Sequence, residues 1–289
     1  MPPLWTLLLS LLLALPGVAA HATAIKTEHV SAELVADVTA VQPGQTVRVG
    51  LRLEHIPHWH TYWRNPGDSG LPTTVNWTLP AGASIGAIEW PAPVRLPIGP
   101  LVNYGYEGRL LLPQTLTAPA DAIPGSTLKL QARADWLVCK DVCVPEGGTL
   151  ELSLPVVAAG AAAAPSPAAA LFTHAAAEQA VELPSWQATV QQSGRELLLT
   201  FEPAAAGTAA AAWPPLQVFP YDEQLIEPAQ HALYRTPRGY ALKLALAANA
   251  TAPGALRGIA VAQAGSPTPW GGERRSVEFN APWRSVAAL

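Results

Sequence analysis

Proline recurs thirty times in these 289 residues, with twenty-two glycines among them, so no long helix is expected beyond the N-terminus. Each proline lacks an amide donor and crowds the preceding helical turn, which breaks a helix but suits turns and strand edges. β-Branched and aromatic residues fill the intervals, and short strands joined by turns are the expected units. Val47, Val49, Leu51 and Leu53 alternate with Thr46, Arg48, Gly50 and Arg52, giving one apolar face and one polar face. That is the period of a half-buried strand. The same period returns in Leu128, Leu130, Ala132, Ala134 and Trp136, and in Leu150, Leu152 and Leu154. Further candidates at 27–39, 73–79, 84–90 and 109–117 bring the first part to about seven strands, the number an antiparallel immunoglobulin-like sandwich needs.

From Val157 to about Ala170 the sequence contracts to Ala, Gly, Pro and Ser, which offer too little bulk to pack a core. An Ala/Pro-rich linker is expected over 157–183, with a short Ala-rich helix inside 168–181 that packs on one domain. Strand-like runs resume at 185–191, 196–202, 216–221, 231–235, 239–247, 256–263 and 276–280. The expected fold is therefore all-β, with two immunoglobulin-like antiparallel β-sandwiches, 23–156 and 184–289. The second contains no cysteine, and His231 is its one histidine, so it reads as a docking or spacing module.

Residues 1–22 have the layout of a cleaved secretory signal: an apolar run from Leu7 to Leu15, then Pro16, Gly17 and the small residues around Ala20 and Ala22. Charge, Pro or Gly interrupts every later apolar stretch before it reaches the roughly twenty residues of a spanning helix. A soluble periplasmic chain of about 265 residues is expected, a length that suits two domains. The net charge of −4 provides no basic stripe for nucleic acid and no polybasic membrane patch, so protein partners are expected.

Both cysteines lie in Trp136-Leu137-Val138-Cys139-Lys140-Asp141-Val142-Cys143-Val144-Pro145-Glu146. An even pair in an exported chain is able to form a disulfide. On a straight strand the two α-carbons would stand about 13 Å apart, beyond the roughly 7 Å that a disulfide spans, so the chain must turn back between them. A loop this short contributes only about 2 kcal/mol of chain-entropy stabilisation, which is little for a sandwich to depend on. Thiol exchange, a structural bridge and a metal site all remain open on these residues, with exchange favoured because the bond can open without unfolding a domain. His55, His58 and His60 lie close in sequence, but the chain beyond the leader has no methionine and no Cys-x-x-Cys or His-x-x-x-His spacing, which speaks against metal. No cofactor is expected.

Three segments together carry a resemblance: Trp59-His60-Thr61-Tyr62-Trp63-Arg64-Asn65-Pro66-Gly67-Asp68-Ser69-Gly70, Asn103-Tyr104-Gly105-Tyr106-Glu107-Gly108, and the cysteine segment with its flanks. They resemble the periplasmic N-terminal region of the DsbD family of thiol:disulfide interchange proteins, in particular the ScsB branch linked to suppression of copper sensitivity. The resemblance implies an immunoglobulin-like domain that takes electrons from a membrane-embedded donor and passes them to thioredoxin-like periplasmic oxidoreductases. It implies that Cys143 forms the mixed disulfide with partners and that Cys139 resolves it. It also implies a cap loop around Asn103 and Tyr104 that shields the disulfide, and aromatic neighbours that fall on His60 and Tyr62, for which packing at the sandwich rim is an equal reading. The family's membrane and thioredoxin-like domains are not among these 289 residues, so a separately encoded membrane electron-transfer protein is the expected donor. A non-catalytic periplasmic adaptor with a permanent disulfide is the alternative.

The leader makes a direct prediction: protein recovered from the periplasmic fraction begins at His21 or Thr23 on N-terminal sequencing. Retention of Met1 in cytoplasmic material would contradict it.

Overall fold

The computed structural model describes residues 21–161, 163–205, 215–228 and 231–285, so residues 1–20 of the leader expected over 1–22 lie outside the described residues. The first group of strands comprises β1 (His21–Ala22), β2 (Ile25–Lys26), β3 (Val30–Ala36), β4 (Thr46–His55), β5 (His60–Gly67) and β6 (Thr74–Thr78). It continues with β7 (Ser84–Ile85), β8 (Val94–Ile98), β9 (Leu101–Glu107), β10 (Arg109–Thr117), β11 (Thr127–Cys139) and β12 (Cys143–Pro155). One sheet runs β1-β12-β11-β5-β9-β8, with β6 also on β11; the facing sheet runs β2-β3-β4-β10-β7. Every ladder between these strands is antiparallel.

The alternation in the sequence is the alternation of the core. Leu34, Leu51, Leu53 and Leu112 from one sheet meet Leu130, Ala132, Trp136, Leu150 and Leu152 from the other, all buried. β11 and β12 pair along their full thirteen residues, so Leu128, Leu130 and Ala132 stand opposite Leu154, Leu152 and Leu150. The strand expected over 84–90 shrinks to Ser84–Ile85; beyond it Gly86 N and Glu89 N still donate to Thr115 O and Pro113 O of β10, three residues advancing against two, which breaks the regular ladder. β5, β8 and β9 have no counterpart in the periodicity. β5 and β9 are covered on both faces, and a strand buried on both faces loses the apolar–polar alternation that marks a half-buried one.

The helix α1 (Ala169–Glu178) falls where the Ala-rich stretch predicts it and lies on the first sandwich. Phe172 is fully buried against Val35 and Leu111, with the Arg48 guanidinium 5.3 Å from its ring centre. The chain entering α1 is pinned as well: Thr39 N donates to Ala164 O at 2.9 Å and Ser166 N to Asp37 O at 2.9 Å. The linker sequence therefore packs closely after all, using one aromatic and backbone hydrogen bonds in place of a core of its own.

After α1 come β13 (Val181–Glu182), β14 (Trp186–Ser193), β15 (Glu196–Pro203), β16 (Leu216–Pro220), β17 (Ala232–Arg235), β18 (Tyr240–Ala245), β19 (Ala255–Ala262) and β20 (Ser276–Ser285). They form one curled sheet in the order β16-β19-β20-β14-β15-β18-β17, with β13 added to β20. Val190, Leu197, Leu199, Phe201, Leu242 and Phe279 fill its core. The pairings of β20 with β13 and with β14 are parallel, which departs from the purely antiparallel expectation. β20 is ten residues long, enough to leave one ladder and join another, and hydrophobic alternation alone does not report strand direction.

Phe172→Ala removes the one fully buried large side chain of α1 and is expected to cost about 3 kcal/mol, as aromatic-to-alanine truncations in cores do. Urea unfolding of the full chain checks this; an unchanged midpoint would mean that the helix is not held by its side chain.

Candidate functional site

The ladder between β11 and β12 sets the site. Trp136 pairs with Glu146, Val138 with Val144, and Cys139 with Cys143 at the end of the hairpin. The three residues Lys140 to Val142 close the turn, with Lys140 N donating to Val142 O at 3.1 Å. Cross-strand pairing brings the cysteine α-carbons to 4.2 Å and the two sulfurs are bonded. This is the reversal that the four-residue spacing demands. The sulfurs are inequivalent: Cys139 is fully buried, whereas Cys143 is exposed beside Val142, which is 62% exposed. Lys140 and Asp141 lie 3.9 Å apart at the surface, where such a pair contributes little.

Below the turn the hairpin is anchored by a carboxylate. Glu146 accepts hydrogen bonds from the Nδ1–H of His29 at 2.7 Å, from His29 N at 3.1 Å, from Trp136 Nε1 at 3.4 Å and from the Thr27 hydroxyl. Its side chain is 6% exposed. Burial pushes its pKa up, but the donors from Thr27, His29 and Trp136 together outweigh burial and hold it below the usual carboxylate value. The His29 ring stacks on Trp59 with centroids 3.6 Å apart. Sequence reasoning passed over Glu146 and His29. Glu146 was legible: once the hairpin closes on the cysteines, counting three residues back along each strand pairs it with Trp136.

Above the disulfide lies Tyr62 of β5. Its hydroxyl is 3.6 Å from Cys143 Sγ, and since a bonded sulfur carries no hydrogen, the hydroxyl is the donor. Asn103 Nδ2 donates to the same hydroxyl at 3.5 Å. Burial raises the Tyr62 pKa to about 12, so the phenol remains protonated and available to donate. His60 is the β-ladder partner of Cys139, and its ring stands 5.2 Å from that of Tyr62, edge to face. Burial, and secondarily the neighbouring His55, lowers the His60 pKa to about 4; its Nε2 is buried with no hydrogen-bond partner. His55 uses both ring nitrogens, bonding Gly108 O at 2.6 Å and Thr61 Oγ1 at 3.0 Å.

Asn103 and Tyr104 are both buried and lie within β9, in the strand and not in a loop over the disulfide. Successive strand residues face opposite ways, so Asn103 reaches Tyr62 while Tyr104 points to the other side, 5.0 Å from the ring of Phe219. The segment that packs on Tyr62 is instead the β5–β6 connection. A Cβ on Gly70 would lie 2.2 Å from the Tyr62 ring, and Gly70 has φ +108°, so glycine is required there. Beside the hairpin a groove of about 830 Å³ runs between Leu71, Pro72, Trp136, Leu137, Val144 and Pro145.

Fold and site together define a tandem β-sandwich protein with a disulfide at the end of a hairpin, between one exposed and one buried cysteine. Residues 27–155 match the family model for the N-terminal region of thiol:disulfide interchange protein DsbD. Among solved structures, the N-terminal periplasmic domain of ScsB from Proteus mirabilis superposes with a TM-score of 0.65 at 16% identity, covering 90% of this chain and 96% of that one. The two share a fold over nearly their whole length, second sandwich included. The GAE domain of yeast GGA1 overlaps 47% of this chain at 14% identity with a TM-score of 0.28, too low to support any argument. No curated protein sequence matches the chain.

The buried histidines predict how stability depends on pH. His60 and His231 are held near 4, largely by burial, and His55 is lowered too, whereas an unfolded histidine titrates at 6.5. Between those values the unfolded chain binds more protons than the native one, so stability falls as pH drops from about 6.5 towards 4. Urea midpoints measured at pH 7 and pH 4.5 should show this loss, and His60→Leu should reduce the slope by about one proton.

Proposed function

We propose that the chain is a periplasmic thiol–disulfide exchange protein that relays reducing equivalents through Cys139 and Cys143, from a membrane-bound electron donor to thioredoxin-like oxidoreductases. The observation that carries this reading is the inequality of the two sulfurs: Cys143 meets solvent, and Cys139 is sealed behind it. A structural bridge needs no accessible sulfur, while exchange needs one accessible target and one leaving group.

The chemistry balances on this pair alone. A donor thiolate attacks Cys143 Sγ, and an S–S bond forms to the donor as the Cys139–Cys143 bond breaks. Cys139 departs with the electron pair and takes up a proton. The donor's second thiolate then attacks its own sulfur in the mixed disulfide and releases Cys143 as a thiolate, so two electrons, and the one proton on Cys139, reach the pair. Delivery reverses the order: the Cys143 thiolate attacks the acceptor's disulfide, and Cys139 resolves the mixed disulfide. The Tyr62 hydroxyl stabilises negative charge on Cys143 whenever that sulfur is thiolate, and the groove by Leu71 and Val144 offers apolar surface to a partner docked on the turn.

The family match and the ScsB fold support export and exchange, and no helix among the described residues is long and apolar enough to cross a membrane. In this reading the electron donor in the membrane is a separate domain or protein.

With Cys139→Ser, Cys143 has no resolving thiol, so mixed disulfides with an oxidised thioredoxin-like protein should accumulate on a non-reducing gel; with Cys143→Ser they should be scarce. The reduction potential should lie above about −300 mV, the usual ceiling for structural bridges. Reduction should leave both sandwiches folded, since the closed loop contributes only about 2 kcal/mol. A bond that resists a glutathione buffer of periplasmic poise, or a first sandwich that melts on reduction, would establish the adaptor reading instead.

A further inference from the structure

The strands that carry the neighbours of Cys143 are held from behind by the second sandwich. On β5, Tyr62 faces the sulfur, and the next residue, Trp63, faces the other way, 6.1 Å from Phe219 and 5.8 Å from Tyr221. On β9, Asn103 faces Tyr62, and Tyr104 lies edge-on to Phe219. Phe219 belongs to β16 of the second sandwich, yet it is fully buried within the core of the first. The Arg64 guanidinium sits 4.5 Å over the Tyr221 ring.

One buried polar side chain joins this interface to the disulfide. Asn65 is 2% exposed, and its Nδ2 donates to Pro220 O at 2.8 Å and to Asp222 O at 3.2 Å, both in the second sandwich. Its Oδ1 accepts from Gly67 N at 3.0 Å, at the start of the connection that packs on Tyr62. Gly67 has φ +86°, and a Cβ there would lie 2.5 Å from Val102 O. Further along, Ser69 N and Ser69 Oγ donate to Asn103 Oδ1 at 3.1 and 3.0 Å, and Asp68 Oδ2 accepts from Val102 N at 2.7 Å. Gly70 then rests on the Tyr62 ring, and Pro72 bridges to the Tyr62 backbone. Every link from the Pro220 and Asp222 carbonyls to Cys143 Sγ is thus a hydrogen bond or a packed contact.

We infer that the second sandwich is a positioning element for the disulfide: by gripping Asn65 and inserting Phe219 it fixes the Gly67–Pro72 turn, and through it the Tyr62 hydroxyl on Cys143. A spacer that only held two domains apart would leave the chemistry of Cys143 unchanged when its grip was loosened. The inference deepens the exchange reading and rests on it for its biological meaning, but its test does not use a redox partner.

The test measures alkylation of the single thiol in the full chain carrying Cys139→Ser, as a function of pH, with iodoacetamide. Lys140, Asp141 and His60, the other titratable groups close to the pair, are left intact in every variant. Losing the Tyr62 hydroxyl through Tyr62→Phe should slow alkylation at neutral pH about threefold to tenfold, the range that the net contribution of one ordinary hydrogen bond supports, and move the pH profile upward. Asn65→Ala and Phe219→Leu should each move the profile the same way in the presence of Tyr62, and should add nothing in the Tyr62→Phe background. Equal shifts with and without Tyr62, or none in either background, would overturn the inference. The gel assay for mixed disulfides stands apart: a chain that fails it while showing this coupling disproves the exchange reading and keeps the positioning one.

Discussion

The site depends on the register of one hairpin. β11 and β12 pair without a break from Thr127 opposite Pro155 to Cys139 opposite Cys143, and that register delivers three things at once. It seats the leucines of both strands in the core, places Glu146 beside Trp136, and leaves the two sulfurs facing across the last rung. A slip of one residue would turn every one of those side chains to the opposite face. The disulfide is a product of this ladder and not its cause. A five-residue ring restrains the unfolded chain too little to hold a domain together, whereas the ladder is backed by the buried leucines and by Glu146 with its four donors. A bond at the end of a rigid ladder can therefore open without loosening its support, which is the mechanical requirement for exchange.

Burial divides the labour between the two cysteines and among their neighbours. Cys139 sits on the closed side beside His60, which is kept neutral largely by burial; Cys143 sits on the open side, under a phenol that stays protonated. Neither neighbour carries charge at neutral pH, so an approaching thiolate meets no like charge from them. What Tyr62 offers is a single aimed O–H, and its aim is held by Asn103 and by the backbone of Gly70. The polar work is done by groups whose own positions are fixed by packing, the usual way of keeping a donor on target without cost at the moment of reaction.

The joint between the sandwiches explains why β5 and β9 look unlike their neighbours. Strands with solvent on one face advertise themselves by alternation, as β4, β11 and β12 do. β5 reads His-Thr-Tyr-Trp-Arg-Asn-Pro-Gly, aromatic and polar in succession, because one face meets the disulfide and its covering turn while the other meets the core and Phe219. The same double burial puts Asn65 in a dry place where its amide is satisfied by carbonyls from the far sandwich. A docked interface of this kind, with a large aromatic inserted and a buried amide satisfied across it, is firmer than a flexible tether.

By itself the sequence determined the material of the fold. Period-two runs of Val and Leu give half-buried strands wherever they occur, proline and glycine mark where strands end, and four-residue cysteine spacing forces a reversal; each of these is a local rule that a neighbour cannot cancel. Strand positions in the second sandwich, the Ala-rich helix and the cysteine pair follow from such rules. Tertiary structure alone decided which sulfur is exposed, which of the neighbours Asn103 and Tyr104 reaches the site, and which segment covers Tyr62. It also decided that β20 runs parallel to β13 and β14, and that the second sandwich enters the core of the first. These depend on which faces meet, and meeting is set by contacts between residues as distant as Asn65 and Pro220, about which local periodicity and composition carry no information.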